Sequence, residues 1–393
     1  MRVAARRLAT CLALSAAATA ITGTCGVAVA QGAARPKRRD RVHVIAARRV
    51  PGRTASLDLL DTACVSATTC YAVGQSGSRA AVVAIHSGVP SRATVFGPRG
   101  VTPTTIACAG GSCEAIGTEA LPTRLPGASY PNTQQVAVTL TGGLPAGSFE
   151  PIGPVNLELD AFACPAAGSC LVLADTGFSG LGALIIPLAP GQPIIPRTVP
   201  RETLFNGLAC PTTTICEALA APSAAREDLL QIGANGNLLG SPVSFGGFSP
   251  GAIACPTATT CYAVGDYVHH PPFRAGAVAI VNGVPGKPHA AAGVSGLSRI
   301  ICPTADVCEA FGYHGAGIQA DARIVDLMVT IHRGLPGTPV TEPKALENAS
   351  LTCPTATRCL AVGSRHPRPP YDPYVAVFAA PSAPSGPPPP AGR

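Results

Sequence analysis

The stretch ACPTATTCYAVG (Ala254–Gly265) decides the fold, because close copies of it recur along the whole chain. They are ACVSATTCYAVG (Ala63–Gly74), ACAGGSCEAIG (Ala107–Gly117), ACPAAGSCLVLA (Ala163–Ala174), ACPTTTICEALA (Ala209–Ala220), ICPTADVCEAFG (Ile301–Gly312) and TCPTATRCLAVG (Thr352–Gly363). Successive first cysteines stand 44 to 56 residues apart, about 48 on average. Around each core the same order of segments returns. An apolar approach such as Gly251-Ala252-Ile253-Ala254 enters a Pro/Thr-rich turn, and a short strand, Cys261 to Gly265, follows. After a loop of variable length comes an apolar run, Ala277 to Val281, then Asn282-Gly283 and a weaker extended segment. Four short strands bounded by turn residues, with no helical period, make up each unit. One such unit every 40 to 50 residues is the signature of a propeller blade. A β-helix has much shorter rungs, and sandwich domains need about twice the period. The expected fold is therefore all-β, a seven-bladed β-propeller of four-stranded blades.

The two ends fit a closed ring. The seventh unit reaches its third strand at Tyr374 to Phe378 and then runs into PSAPSGPPPPAGR (Pro381–Arg393), which cannot supply a fourth. Arg41-Val42-His43-Val44-Ile45-Ala46 is an unassigned extended segment that can pair with it and remove the open edge.

Composition agrees. The 393 residues include 43 Gly and 41 Pro, too many for helices, and 47% are hydrophobic, too many for a disordered chain. The net charge of +7 suggests nucleic acid but is misleading. Residues 1–53 hold 11 of the 28 Lys and Arg and one of the 21 Asp and Glu, leaving 17 bases against 20 acids in the body. A slightly acidic body has no broad phosphate-binding field, so no nucleic acid partner is expected. Residues 1–30 read as a signal peptide: Arg2, Arg6 and Arg7, a small apolar stretch from Leu8 to Thr22, and a cleavage site at Ala28-Val29-Ala30. The expected organisation is a signal peptide (1–30), a basic disordered arm (31–41), the propeller (42–380) and a Pro-rich disordered tail (381–393). No transmembrane segment is expected, since the later apolar runs are broken by prolines such as Pro187, Pro190 and Pro193.

Fourteen of the 16 cysteines fall in the seven cores, and Cys11 and Cys25 leave with the signal peptide. An even set in an exported chain argues for disulfides. The pairs are Cys64 and Cys70, Cys108 and Cys113, Cys164 and Cys170, Cys210 and Cys216, Cys255 and Cys261, Cys302 and Cys308, and Cys353 and Cys359. Each lies at the ends of a blade's first hairpin turn, and so short a loop contributes only about 2 kcal/mol. Zinc needs closer spacing and a second pair nearby, and redox-active pairs are two residues apart, so no metal or cofactor is expected.

The residue after each second cysteine runs Tyr71, Glu114, Leu171, Glu217, Tyr262, Glu309, Leu360. Glu114, Glu217 and Glu309 are the candidate site residues. If they converged on the axis they would bind a cation or do acid–base work. The alternative is that each lies separately between blades, satisfied by backbone N–H groups or an arginine. His269-His270 and Pro370-Tyr371-Asp372-Pro373-Tyr374 read as solvated loop tips, and Asn348-Ala349-Ser350 matches a glycosylation triplet.

The core CPTATTCYAVG resembles the cysteine-paired repeats of exported actinobacterial propeller-like proteins, over roughly residues 54–380. The architecture is more distantly similar to sialidase-type and photosystem-assembly-factor propellers. Those carry Asp-box turns of the Ser-x-Asp-x-Gly-x-Thr-Trp kind, whereas this chain has no such box and no tryptophan, so their activity is not carried over. The expectation is a secreted, monomeric, non-enzymatic binding or scaffold module for a protein or cell-envelope component, acting through loops on a rigid disc. The alternative is a hydrolase or lyase with its site at the central channel. An aromatic content of 4% counts against a carbohydrate ligand.

Overall fold

In each repeat the apolar approach to the first cysteine forms the first strand of a blade. The core beyond the second cysteine forms the second strand, and the later apolar run forms the third. In blade 5 these are Phe248–Ala254, Thr260–Tyr267 and Ala275–Val281. The fourth, outer strand there is broken into Val284–Pro285 and His289–Ala290, both paired with the third. Blades 1, 2 and 6 break their outer strand in the same way. Seven antiparallel sheets of this kind follow one another along the chain. The first strands of successive blades touch all the way round, blade 7 meeting blade 1, so the architecture is a seven-bladed propeller with the first strands at the axis.

The computed structural model describes residues 44–52, 56–122, 132–176, 182–199, 204–223, 226–267, 274–315, 325–341, 350–364 and 372–380, and contains no helix among them. The expected signal peptide, basic arm, His269-His270 loop tip and Pro-rich tail, with Asn348-Ala349 of the triplet and Pro370-Tyr371 of the 370–374 segment, lie outside the described residues.

Val44–Arg49 supplies the outer strand of blade 7, pairing antiparallel with Pro373–Ala379 from Val44 opposite Phe378 to Arg49 opposite Tyr374. The strand therefore runs three residues beyond the expected Ala46. It stops before Pro51, which has no N–H to continue the ladder. Arg49 adds a two-pronged contact to Asp372, Nε to Oδ1 at 3.0 Å and Nη2 to Oδ2 at 3.1 Å, exposed on the arginine side and so of small energetic weight.

The core is divided among the seven seams between blades. Tyr71, Val73 and Val82 of blade 1, for example, pack on Ile106, Ala115 and Leu140 of blade 2. The alanine two residues after the second cysteine (Ala72, Ala115, Ala218, Ala263, Ala310, Ala361) is wholly buried in all six blades that have it. Its small side chain lets neighbouring sheets close together. Each buried Val, Leu or Ile contributes about 1.5–3 kcal/mol, so the seams hold the blades together while the disulfides act within blades.

A bulge in the first strand explains the last letter of the repeat. In six blades the pairing of first and second strands slips by one residue, at Leu60, Thr104, Asp160, Asn206, Gly251 and Ser298. Each of these stands four residues before the first cysteine. The first strand's backbone crowds the facing residue of the second, and a side chain on Gly74 or Gly312 would overlap the carbonyl of Asp58 or Gly296. Blades 3 and 4 carry Ala174 and Ala220 at this position. There the two strands must stand farther apart.

Candidate functional site

The turn between first and second strands and the turn between third and fourth open on the same side of the disc, here termed the cysteine face. All seven expected disulfides are formed there, with Cα atoms 3.8–4.0 Å apart. Seven disulfides belong to an oxidising compartment. Among the described residues no helix is long and apolar enough to cross a membrane, and no group of three or more His, Cys, Asp or Glu is placed to hold a metal ion.

At the axis lies a cavity of about 670 Å³, lined mostly by the first strands of blades 1, 4, 5, 6 and 7. Its wall includes Asp61, Asn206, Ser298, Arg299, Tyr313 and Asp326 among small and apolar neighbours. Glu114, Glu217 and Glu309 are not in that wall. Arg299 lies over the Phe311 ring at 5.1 Å, which gives its charge a π-face partner. Asp61 keeps some accessible surface toward the cavity, but its carboxylate is fully engaged. Oδ1 accepts from Thr62 N at 2.8 Å and from Ser350 Oγ of blade 7 at 2.6 Å. Oδ2 accepts from Thr105 Oγ1 at 2.7 Å and Ile106 N at 2.8 Å, both of blade 2. Desolvation pushes its pKa above the ordinary aspartate range, and these four bonds pull against that shift. One side chain thus ties three blades together at the point where the ring closes.

Two blades along, Asp160 of blade 3 is placed differently. Its Oδ2 accepts one hydrogen bond, from Phe205 N of blade 4 at 3.4 Å. Burial, reinforced by the nearby carboxylates of Asp175 and Glu158, raises its pKa to about 8.

The three candidate glutamates are not brought together. Each lies on the second strand of its blade, and its side chain meets the residue directly opposite on the third strand. Thr139 Oγ1 donates to Glu114 Oε2 at 2.9 Å, Gln231 Nε2 to Glu217 Oε1 at 2.9 Å, and Thr330 Oγ1 to Glu309 Oε1 at 2.8 Å. In the other four blades the same cross-strand position pairs Tyr71 with Ala84, Leu171 with Pro187, Tyr262 with Ala279, and Leu360 with Val377. Polar faces polar and apolar faces apolar, as cross-strand neighbours require.

These pairs lie at the seams on the cysteine face. At five of the seven the next blade covers the pair with a glycine of its third-to-fourth-strand turn. Blade 7 has no such turn, because Val44–Arg49 is its fourth strand. Gly143 of blade 2 sits on the Tyr71 ring, and Gly283 of blade 5 on the Gln231 amide. Both have positive φ, so glycine is required for the turn as well as for the close approach. Blade 3 departs from this. Its turn folds back so that Pro190 rests over Gly168 of its own blade, and Gly191 meets nothing. The seam between blades 2 and 3 therefore opens into a groove of about 600 Å³. Its floor includes Val138, Ile152 and Leu188, and Glu114, Glu150 and Gln192 line it too. Burial and the Glu150 charge raise the pKa of Glu114, while Thr139 lowers it.

No known protein family and no curated protein matches the chain. Solved structures do. The WD40 β-propeller domain of Doa1 is 10% identical over 86% of this chain and 96% of its own, with a TM-score of 0.49. A neuraminidase-like protein from A/bat/Guatemala/164/2009 is 8% identical over 72% and 88%, with a TM-score of 0.44. A luciferin-regenerating enzyme is 11% identical over 70% and 89%, with a TM-score of 0.40. The seven sheets of the chain itself establish the fold.

Asp61, Asp160 and the third-strand partners Thr139, Gln231 and Thr330 were not picked out by sequence reasoning. For the two aspartates a signal existed. When the seven repeats are aligned on their first cysteine, these two are the only acids among the four residues before it, and Arg299 is the only base.

Proposed function

We propose that this chain is an exported, monomeric, non-enzymatic propeller that binds a protein or cell-envelope component, akin to the cysteine-paired repeat proteins its core resembles. The observation that carries the reading is the groove between blades 2 and 3, with its apolar floor, two carboxylates and a scaffold stapled beside it by Cys108–Cys113 and Cys164–Cys170. A concave apolar surface with a few placed polar groups on rigid elements is what recognition needs. Of the two acids in the axial wall, Asp61 supports binding over catalysis, because each of its oxygens already accepts two hydrogen bonds and is committed to joining blades.

The test is site-specific photo-crosslinking of the exported chain in its native envelope. A crosslinker replacing Gln192 at the groove should capture a discrete partner. One replacing Val243, exposed on the outer edge of blade 4, should not. Equal capture at both positions, or capture at Val243 alone, would remove the groove from consideration.

A further inference from the structure

The seam between blades 4 and 5 holds an unresolved charge. Glu217 is 3% exposed. Its Oε1 accepts from Gln231, and its Oε2 is buried without a hydrogen-bond partner. A buried carboxylate oxygen left in this state is costly, and such groups need an explanation. Glu217 lines a cleft of about 230 Å³ on the cysteine face. Pro211, Ile215 and Ile280 give the cleft apolar walls, and Thr259 and Asn282, both exposed, place its mouth at the surface. No other charged side chain lines it among the described residues. Desolvation raises the pKa of Glu217, with the Gln231 bond opposing, and no cation among the described residues offsets it.

We infer that the cleft between blades 4 and 5 receives the side chain of a partner protein's lysine, whose ammonium draws the buried Glu217 Oε2 toward the cleft while its methylenes lie along Ile215 and Ile280. The geometry selects lysine over arginine. With Oε1 taken by Gln231, one oxygen is free, and a guanidinium fork uses two while an ammonium is a point donor. The apolar walls suit a four-carbon stem whose charged end alone needs a polar partner. The inference rests on the binding-module reading only for the source of the lysine, and the cleft is distinct from the groove between blades 2 and 3.

The experiment titrates n-butylammonium, n-butylguanidinium and a blocked lysine amide into the isotope-labelled mature chain and follows the amide resonances of Thr259, Asn282 and Gly283. Butylammonium and the lysine amide should give saturable shifts at roughly millimolar concentration. Butylguanidinium should bind more weakly. Glu217→Gln should weaken ammonium binding by roughly tenfold or more, with its melting midpoint unchanged or raised. Thr259→Lys, at the exposed mouth, should supply the ammonium internally and abolish the response. Because the ionised carboxylate is the acceptor and its pKa is raised, binding should strengthen from pH 5 to pH 8. Equal binding by wild type and Glu217→Gln, or no saturable shift at these amides, overturns the assignment and leaves the Gln192 crosslinking result standing. A response to butylammonium but not to the lysine amide overturns the protein source in favour of a free amine.

Discussion

Asp61 and Asp160 are one position apart in the repeat, both on axial strands, and they meet opposite fates. Asp61 accepts four hydrogen bonds from three blades. Asp160 accepts one long bond and has two carboxylates near it. Desolvation is the largest influence on both and raises both pKa values. What separates them is the supply of donors: burial sets the penalty on the charge, and the neighbours decide whether it is relieved. Asp61 serves as a clasp, whereas Asp160, with a pKa of about 8, is largely protonated at neutral pH.

The largest test of this contrast is Asp61→Ala. It leaves the Ile106 N–H and the hydroxyls of Thr105 and Ser350 around the ring closure without their acceptor, while the Thr62 N–H keeps Ser350 Oγ. The loss should be about 3 kcal/mol or more in denaturant unfolding under non-reducing conditions. A loss below about 1 kcal/mol would mean that the clasp is incidental to stability.

A smaller effect separates the two acids by pH. A carboxyl whose pKa is higher in the folded than in the unfolded state makes the native chain bind more protons across the interval between the two values. For Asp160 that interval runs from about 4 to about 8, so its contribution to stability is lost as pH rises through it. Asp61 acts in the same direction. The melting midpoint should fall from pH 5 to pH 9, and Asp160→Asn should flatten the fall and melt higher at pH 9. About 1 kcal/mol corresponds to roughly 2–4 °C in a domain of this size. An unchanged slope in the variant would place the titration elsewhere.

The smallest effect is Ser350→Ala, which removes one of the four donors to Asp61 and should cost about 1 kcal/mol. Added to Asp61→Ala it should cost less than it does alone, because the two share one bond, and the remainder is the loss of the Thr62 N–H bond to Ser350 Oγ at 3.1 Å. Additive losses in that double-mutant cycle would show that Ser350 acts through some other contact.

The blades and the disulfides were legible in the sequence because local spacing determines them, with five residues or fewer between paired cysteines, and the closing strand was legible because the seventh repeat lacks a fourth strand. The partners of the three glutamates were not legible, and the reason is register. Glu217 faces Gln231, 14 residues on, Glu309 faces Thr330, 21 on, and Glu114 faces Thr139, 25 on. The span between second and third strands varies among the blades, from two residues between Ser76 and Arg79 to twelve between Ala120 and Thr133, so no fixed spacing reveals who sits opposite. The aspartates were hidden by the bulge. One extra residue between Leu159 and Ala161 breaks the two-residue alternation by which a strand's faces are read. Asp61, one position later in the repeat, ends up turned toward both neighbouring blades.

The outer strand of blade 7 has a consequence for the order of events during synthesis. Each cysteine pair is separated by five or six positions and can meet as soon as its own hairpin emerges. Val44 must find Phe378, more than three hundred residues later, and that contact cannot exist until nearly the whole chain is outside the ribosome. Such a distant pairing is entropically late as well as chronologically late. The nascent molecule is therefore an open arc of blades, with the edge of its first-made strand unpaired, until its last repeat is complete. Closure by Val44–Arg49 converts that arc into a disc.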